Sequence, residues 1–515
     1  MSFNYGIIRA LKIYKGLYLF SKILQNYNAK NTKNDILAGI VVSVALIPEV
    51  IAFSFVAGVS PIVGLYTAFI LGLIAAAFGG KPGMISGAAG SVAVVVVALV
   101  QKYGVEYLYL AAILAGIIQL LIGILGFAKF IRLVPMPVVY GFVNGLAIVI
   151  AYSQFQFFKG ESYIIYILVA LTMAIMYFLP KFTKAIPAGL GAIIVITAIV
   201  WGFHLHTKTI GDLAHIKGAF PTFHLPDVPL NLETLKIILP YSIVMALVGL
   251  IESLLTLEVL EEMSGERGNG NKEAKALGAG NALSGMFGGM AGCAMIGQTI
   301  INHTSGGRGR LSGITAAVLI ILFVVFFSKY IEKIPLAVLI GIMFMVSIAT
   351  FEWASLDKLK RIPKEDAFVL IVTTLITIFT DLAVAVISGV IISALVFAWK
   401  HAKVYFKTKM EGDKKIYEFE GPLFFGSTRS FLESFDVKND PKEVVMDFKN
   451  VRVMDASGVE AIDKITKRYL EAGKKLTIRH LSNECKKLLE VAGPYCTYEE
   501  DDPNYKVAID PEKLK

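Results

Sequence analysis

Two short stretches decide how this chain is read. One is Gly83-Met-Ile-Ser86-Gly87-Ala88-Ala89-Gly90-Ser91, which leads into a compact valine-rich run; the other is Gly292-Cys293-Ala294-Met295-Ile296-Gly297-Gln298. They open apolar segments at 83–101 and 293–304. A hydrocarbon core of ~30 Å takes about 20 helical residues to cross. Rich in Gly, Ala and Ser, these two segments are too short to do so.

Working outward, apolar segments run at about 36–57, 62–79, 83–101, 106–127, 136–158, 162–180 and 186–203. A polar stretch, 204–236, interrupts them, and the pattern resumes at 237–263, 273–291, 293–304, 311–329, 334–350, 366–381 and 382–400. The short segments are the third and the tenth, so they hold equivalent places in two halves, 35–203 and 237–400, of nearly equal length. Such near-equality is what an internal duplication leaves. Seven is odd, so the second repeat must sit inverted. The expected fold is an α-helical membrane protein with 14 transmembrane segments as a 7+7 inverted repeat, followed by a small α/β domain. Paired interrupted segments place a binding site at the midplane, where half-helix N-termini aim unsatisfied N–H groups and about half a positive charge each at a ligand. The implied ligand is a small anion. Close helix packing through Gly and Ala is the competing reading, and a matched pair argues against it.

Composition agrees. Of 515 residues, 56% are hydrophobic and 17% charged, where a soluble domain carries roughly 25% charged residues. Residues 1–400 hold 28 Lys+Arg against 19 Asp+Glu, and 401–515 hold 21 against 21. The surplus positive charge therefore lies beside apolar spans, as the positive-inside rule requires, and does not indicate a nucleic-acid partner. Residues 1–34 carry six Lys/Arg and no acid. With Ile7, Ile8, Leu11, Tyr14 and Phe20 they read as an uncleaved amphipathic helix on the cytoplasmic surface. Lys400, Lys403, Lys407 and Lys409 follow the last span, so both ends of the membrane part are expected in the cytoplasm. Trp201, Trp353 and Trp399 fall at span ends, where an aromatic belt belongs.

Nothing here reads as an enzyme or a cofactor site. There is no Gly-x-x-x-x-Gly-Lys-Ser/Thr, no His-Glu-x-x-His and no paired Cys-x-x-Cys. Cys293, Cys485 and Cys496 make no disulfide framework. His204, His206, His215 and His224, with Asp212 and Asp227, read as solvated loop residues and not as a metal site.

Two acids stand inside apolar spans. Glu252 lies about ten residues from the acidic pair Glu261 and Glu262, hence roughly 15 Å deep at 1.5 Å per residue. A charge at that depth costs at least ~2.5–3.5 kcal/mol, so a carboxylate kept there faces a wet cavity and is protonated, paired or cation-bound. Glu252 is the candidate coupling residue; the blander reading is a neutral acid bonded to Ser253 or a backbone carbonyl. Glu49 lies within the first span.

The residues resemble the sulfate permease (SulP) family of anion transporters over nearly the whole chain. The resemblance rests on Asp35-Ile-Leu-Ala38-Gly39, Leu46-Ile47-Pro48-Glu49-Val-Ile-Ala52-Phe53 and Pro61-Ile-Val-Gly64-Leu65-Tyr66. Further matches are Asn271-Lys272-Glu273 with Gly278 and Asn281, Ser305-Gly306-Gly307-Arg308 with Leu311-Ser312-Gly313, and Thr380-Asp381-Leu382 with Ala385-Val386. It implies a core and a gate subdomain, an elevator-like movement, and a homodimer in the cell (inner) membrane. The implied substrate cavity is lined by Glu49, Phe53, Ala88, Ala89, Gly90, Ser91 and Met295, Ile296, Gly297, Gln298. Animal members have arginine in place of Gln298 and commonly glutamine in place of Glu49. Lacking the fixed cation and holding an extra acid, this site favours co-transport with H⁺ or Na⁺ over simple exchange. In a related bicarbonate transporter the position of Glu252 holds a sodium-binding aspartate, which implies a coupling-ion role for Glu252, with Thr256 one turn further on. Sulfate, bicarbonate or a dicarboxylate would fit the class of substrate. An uncoupled channel-like protein and a membrane-anchored signalling scaffold remain the alternatives.

From about 408 the pattern turns soluble α/β, matching a STAS domain over 408–515. Glu443-Val-Val-Met-Asp-Phe448 reads as a buried strand and Val459 to Ala472 as an amphipathic helix. Between them Ser457 is placed to cap the helix. The matching serine of anti-sigma antagonists is phosphorylated, which implies a regulatory role.

Overall fold

The computed structural model describes residues 28–131, 135–183, 187–216, 218–359, 361–380, 382–400, 404–482 and 485–487. Most of the expected N-terminal amphipathic segment, together with Lys403, Asp381 and Cys496, lies outside them; residues 29–34 belong to the first helix.

The chain forms two compact units, Met1–Val390 and Ile391–Lys515. Helices stand at every expected apolar segment, the last of them running across the boundary between the units. The first repeat holds α1 (Ala29–Val56), α2 (Pro61–Phe78), α3 (Gly90–Tyr103), α4 (Val105–Ile124), α5 (Met136–Gln154), α6 (Tyr163–Phe182) and α7 (Ala188–Gly202). The second holds α8 (Leu232–Ser264), α9 (Gly270–Met286), α10 (Ile296–Thr304), α11 (Arg310–Glu332), α12 (Leu336–Thr350), α13 (Lys364–Phe379) and α14 (Leu382–Lys400). Seven helices among the described residues are long and apolar enough to cross a bilayer. The two expected half-helices are the short ones, α3 with 14 residues and α10 with 9. All three tryptophans are exposed.

Packing carries the duplication. α9 lies along α4 as α2 lies along α11, α8 along α4 as α1 along α11, and α13 along α5 as α12 along α6. Each pair becomes the other when helix numbers shift by seven. The contacts gather α1–α4 with α8–α11, and α5–α7 with α12 and α13. Glycine sets how close the first group packs. A Cβ on Gly116 would stand 2.5 Å from the Gly278 carbonyl oxygen, and one on Gly278 2.6 Å from that of Gly116. Only the missing side chains let α4 and α9 meet backbone to backbone.

The second unit is built on a four-stranded sheet whose strands lie side by side in chain order. The strands are β3 (Tyr405–Glu411), β4 (Lys414–Leu423), β5 (Glu443–Val453) and β6 (Lys475–Arg479). β3 and β4 pair antiparallel; β4–β5 and β5–β6 pair parallel. Helices α15 (Thr428–Glu433) and α16 (Ala456–Glu471) accompany it, α16 burying Val459, Ile462, Ile465 and Tyr469 on one face. Asp440 is buried beneath, taking hydrogen bonds from Lys415 Nζ at 2.6 Å, from the Tyr417 hydroxyl at 2.8 Å and from the Tyr469 hydroxyl. Ser457 does not cap α16. Asp455 does, accepting from the Gly458 N–H at 2.9 Å, and Ser457 is the second helical residue. An extended Asp455 backbone brings its carboxylate onto the free N–H groups, where an acid also meets the positive end of the helix.

Candidate functional site

The site begins where two helices fail to start. Ser86–Gly87 (β1) and Cys293–Ala294 (β2) form a two-residue antiparallel ladder, with Ser86 opposite Ala294 and Gly87 opposite Cys293. Two residues past β1 the chain turns into α3, and one residue past β2 into α10. Because the strands run in opposite senses, the two helix N-termini adjoin the ladder at its opposite ends. Continuous rods would have excluded this arrangement.

Helix starts usually carry Ser, Thr, Asp or Asn to satisfy their first N–H groups. Here the N-cap positions hold Ala89 and Met295, and neither offers a side-chain acceptor. The first turns of α3 and α10 therefore keep donors and about half a positive charge each for something other than their own chain. Around them the expected residues fall as follows. Ala88, Ala89, Gly90, Ser91 and Met295 are buried, Ile296 is half-buried, and Gly297 is exposed with no atom within 4 Å of where its Cβ would stand. Phe53, also buried, packs on the first turn of α3; a Cβ on Gly90 would stand 2.7 Å from its ring. Gln298 is 1% exposed, yet neither its amide oxygen nor its nitrogen has a hydrogen-bond partner. Its polar neighbour is the Glu49 carboxyl of α1, close enough to engage the amide but without a well-formed hydrogen bond. An orphaned buried amide is costly. Gln298 belongs to the uncapped first turn of α10, so a polar solute at that tip is within reach of its amide.

α8 supplies the rest. Glu252 lies deep in the bundle and keeps partial access to solvent, as does Glu49. Its Oε2 accepts from the Ser91 hydroxyl of α3 and, at 3.1 Å, from the Cys293 thiol of β2. Ser253 and the backbone carbonyls, expected as partners in the blander reading, do not hold it. Ser253 instead accepts from the Ala294 N–H at 3.0 Å. Thr256 turns its hydroxyl onto the Glu252 carbonyl at 2.8 Å and lies 3.4 Å from the Ala294 carbonyl. Thus the carboxyl bridges both interrupted segments.

Three residues that hold this arrangement carried no assigned role in the sequence reading. Asn281 on α9 grips Gly292 as a neighbouring strand would, accepting from its N–H at 2.9 Å and donating to its carbonyl at 3.0 Å. The same amide donates to Gln119 of α4 at 2.8 Å, and Gln119 donates to the Ala246 carbonyl at 3.2 Å. Cys293 is the third. Gln119 and Asn281 are polar residues in otherwise apolar or small-residue helices, and that was the available signal.

Elsewhere, His224 contacts Glu106 at 2.9 Å and Asp212 accepts from the Thr209 N–H and hydroxyl. Among the described residues no three His, Cys, Asp or Glu gather as a metal site would need.

Comparison with known proteins bears on the family and the fold. The description "Sulfate permease family" matches residues 32–168 and 161–373, and "STAS domain" matches residues 405–495. The chain is 44% identical over 462 residues to the putative sulfate transporter YbaR of Bacillus subtilis, covering 89% of this chain and 97% of that protein. It is 27% identical over 525 residues to the bicarbonate transporter BicA of Picosynechococcus sp., covering 91% and 92%. Among solved structures, the transmembrane domain of a cyanobacterial BicA aligns with TM-score 0.63 at 27% identity, over 70% of this chain and 98% of that one. Murine Slc26a9, an anion transporter in the inward-facing state, aligns with TM-score 0.82 at 17% identity over 92% and 90%, a likeness of fold. With the helical membrane unit, the opposed half-helices and the small sheet domain all in place, the chain belongs to the sulfate permease family and carries a C-terminal STAS domain.

Proposed function

We propose that this protein is a secondary active transporter of a small oxyanion or carboxylate, of the class of sulfate, bicarbonate or a dicarboxylate, coupled to H⁺ or Na⁺. The observation that carries the reading is the pair of uncapped helix tips meeting at β1–β2, beside the unpartnered Gln298 amide.

Charge explains the coupling. Two helix tips supply about one positive charge together, whereas Glu49 and Glu252, both ionised, supply two negative ones. The empty site is then about one charge negative, and an anion enters against repulsion. Cations on one or both carboxyls reverse that sign. The two helix groups, α1–α4 with α8–α11 and α5–α7 with α12 and α13, offer a means of movement. Sliding the first group against the second carries the tips and Glu252 as one body, in an elevator-like exchange of access. The relatives' names support an anion as cargo, since YbaR is called a putative sulfate transporter and BicA a bicarbonate transporter. The protein would work as a homodimer in the cell (inner) membrane, with cytoplasmic termini.

Uptake into liposomes tests this. Labelled sulfate, bicarbonate and fumarate are offered in turn, with and without an inward sodium gradient and at two pH values. Saturable, gradient-driven accumulation of one anion is expected. Leak that never saturates, or no flux of any anion, would overturn the proposal.

A further inference from the structure

Ser91 stands where two demands meet. It is the second residue of α3, within the uncapped first turn, and its hydroxyl donates to Glu252 Oε2 on α8. The weaker Cys293 donor shares that oxygen, and among the described residues no hydrogen bond engages Glu252 Oε1. No other side chain among the described residues engages this carboxyl. α4 and α9 bring only the neutral amides Gln119 and Asn281 nearby, and Glu49 on α1 faces Gln298.

A serine hydroxyl has one proton and two lone pairs. While the Glu252 carboxylate is bare, that proton is committed to it, and Ser91 shows lone pairs to anything arriving at the helix tip. An anion is repelled by them. A cation on Glu252 reverses the direction. A protonated Glu252 donates its own O–H to Ser91 Oγ; a sodium ion on the carboxylate takes a Ser91 lone pair. In both cases the Ser91 proton is released, and an anion at the first turn of α3 competes for it with the neighbouring Cys293 sulfur, a weak acceptor.

We infer that Ser91 couples the two sites: its single proton points to Glu252 when no cation is bound and to the anion when one is. The inference rests on the proposed reading of the helix tips as the anion site. It adds a coupling route that acts by hydrogen-bond direction, over and above the repulsion between charges.

The test is anion binding by the purified full-length protein, measured calorimetrically with whichever of sulfate, bicarbonate or fumarate the wild type accumulates. One arm varies sodium against choline at fixed pH; the other varies pH without sodium. Each arm yields a coupling factor, the ratio of anion affinities with and without the cation, and the arm that moves identifies the cation. Ser91→Ala should lower that factor about tenfold, the worth of one hydrogen bond to a charged group. The remainder reports charge repulsion. Ser91→Thr, which keeps the hydroxyl, should restore the factor. Should the alanine variant fail to fold, Ser91→Cys, a near-isostere with a weaker donor, decides in its place. A fall of threefold or more in either variant supports the inference, and a smaller change overturns it. Loss of overall affinity with an unchanged factor also overturns it, because that is what a merely structural serine would show. A wild type that binds none of the anions under any cation would instead sink the proposed function beneath it.

Discussion

Gln298→Arg probes the charge ledger of the site most directly. Its amide is buried, unpartnered and adjacent to Glu49, so a guanidinium placed there meets a carboxylate at once. The empty site, about one charge negative with both acids ionised, becomes about neutral. Removing one unit of like-charge repulsion at an effective dielectric of ~20 and a separation of about 5–6 Å is worth about 3 kcal/mol. That corresponds to roughly a hundredfold in affinity. Anion affinity in the absence of the coupling cation should therefore rise by up to about a hundredfold, while affinity at saturating cation changes little. The slope of log affinity against log cation concentration should fall by about one. Calorimetric titration over a cation series measures both quantities. An unchanged slope with unchanged cation-free affinity would refute the account, since the introduced charge would then do nothing that the cation normally does.

Other expectations follow from the same geometry. Glu252→Gln keeps the shape and the donors around Oε2 but removes the ionisable group; it should leave folding intact and abolish gradient-driven accumulation, and full coupled uptake in liposomes would refute the assignment. Asn281→Ala strands the Gly292 N–H and carbonyl and the Gln119 oxygen in a buried place. It should cost about 2–5 kcal/mol, seen as a lowered melting temperature in detergent, and loosen the start of α10. In the second unit, burial works against an ionised Asp447, but hydrogen bonds from His480, the Lys449 N–H and Arg479 outweigh it and hold its carboxyl below the usual range. A group depressed in the folded state lends stability above its unfolded pKa of about 3.9 and loses it as pH falls through the folded value. Thermal melts should therefore show the second transition weakening below about pH 4, and Asp447→Asn should lower that transition at pH 7 and flatten the acid side. An acid side as steep as the wild type's in that variant would count against the pairing.

Much of the architecture was legible because hydropathy is a local property. An apolar run of about 20 residues reads as a span without reference to any other part of the chain. Two runs that fall short at equivalent places read as half-helices for the same reason. The lack of a capping residue became visible only once the structure put the helix starts after Ala89 and Met295, which leaves both tips uncapped. Reading Ser457 as the cap failed on a local ambiguity, because Asp455 stands two residues earlier and its carboxylate reaches the same N–H groups.

The partners of Glu252 were not legible. Ser91 lies 161 residues away and Cys293 lies 41 away, and nothing in either neighbourhood marks one for the other. The Asn281–Gly292–Gln119 clamp is hidden for the same reason, since a buried amide announces that it needs a partner but not which one.

Composition and period thus determined by themselves that this chain is a duplicated helical membrane protein with a small α/β domain, and that two interrupted segments stand at equivalent places in its halves. Those features follow from how each segment partitions between water and lipid, a property summed over neighbours in sequence. Only the tertiary structure decided that one carboxyl bridges both interruptions through Ser91 and Cys293, and that Gln298 is left unpaired beside them. Hydrogen bonds are directional and short-ranged, so which donors meet which acceptor is settled by the packing of helices far apart in the chain.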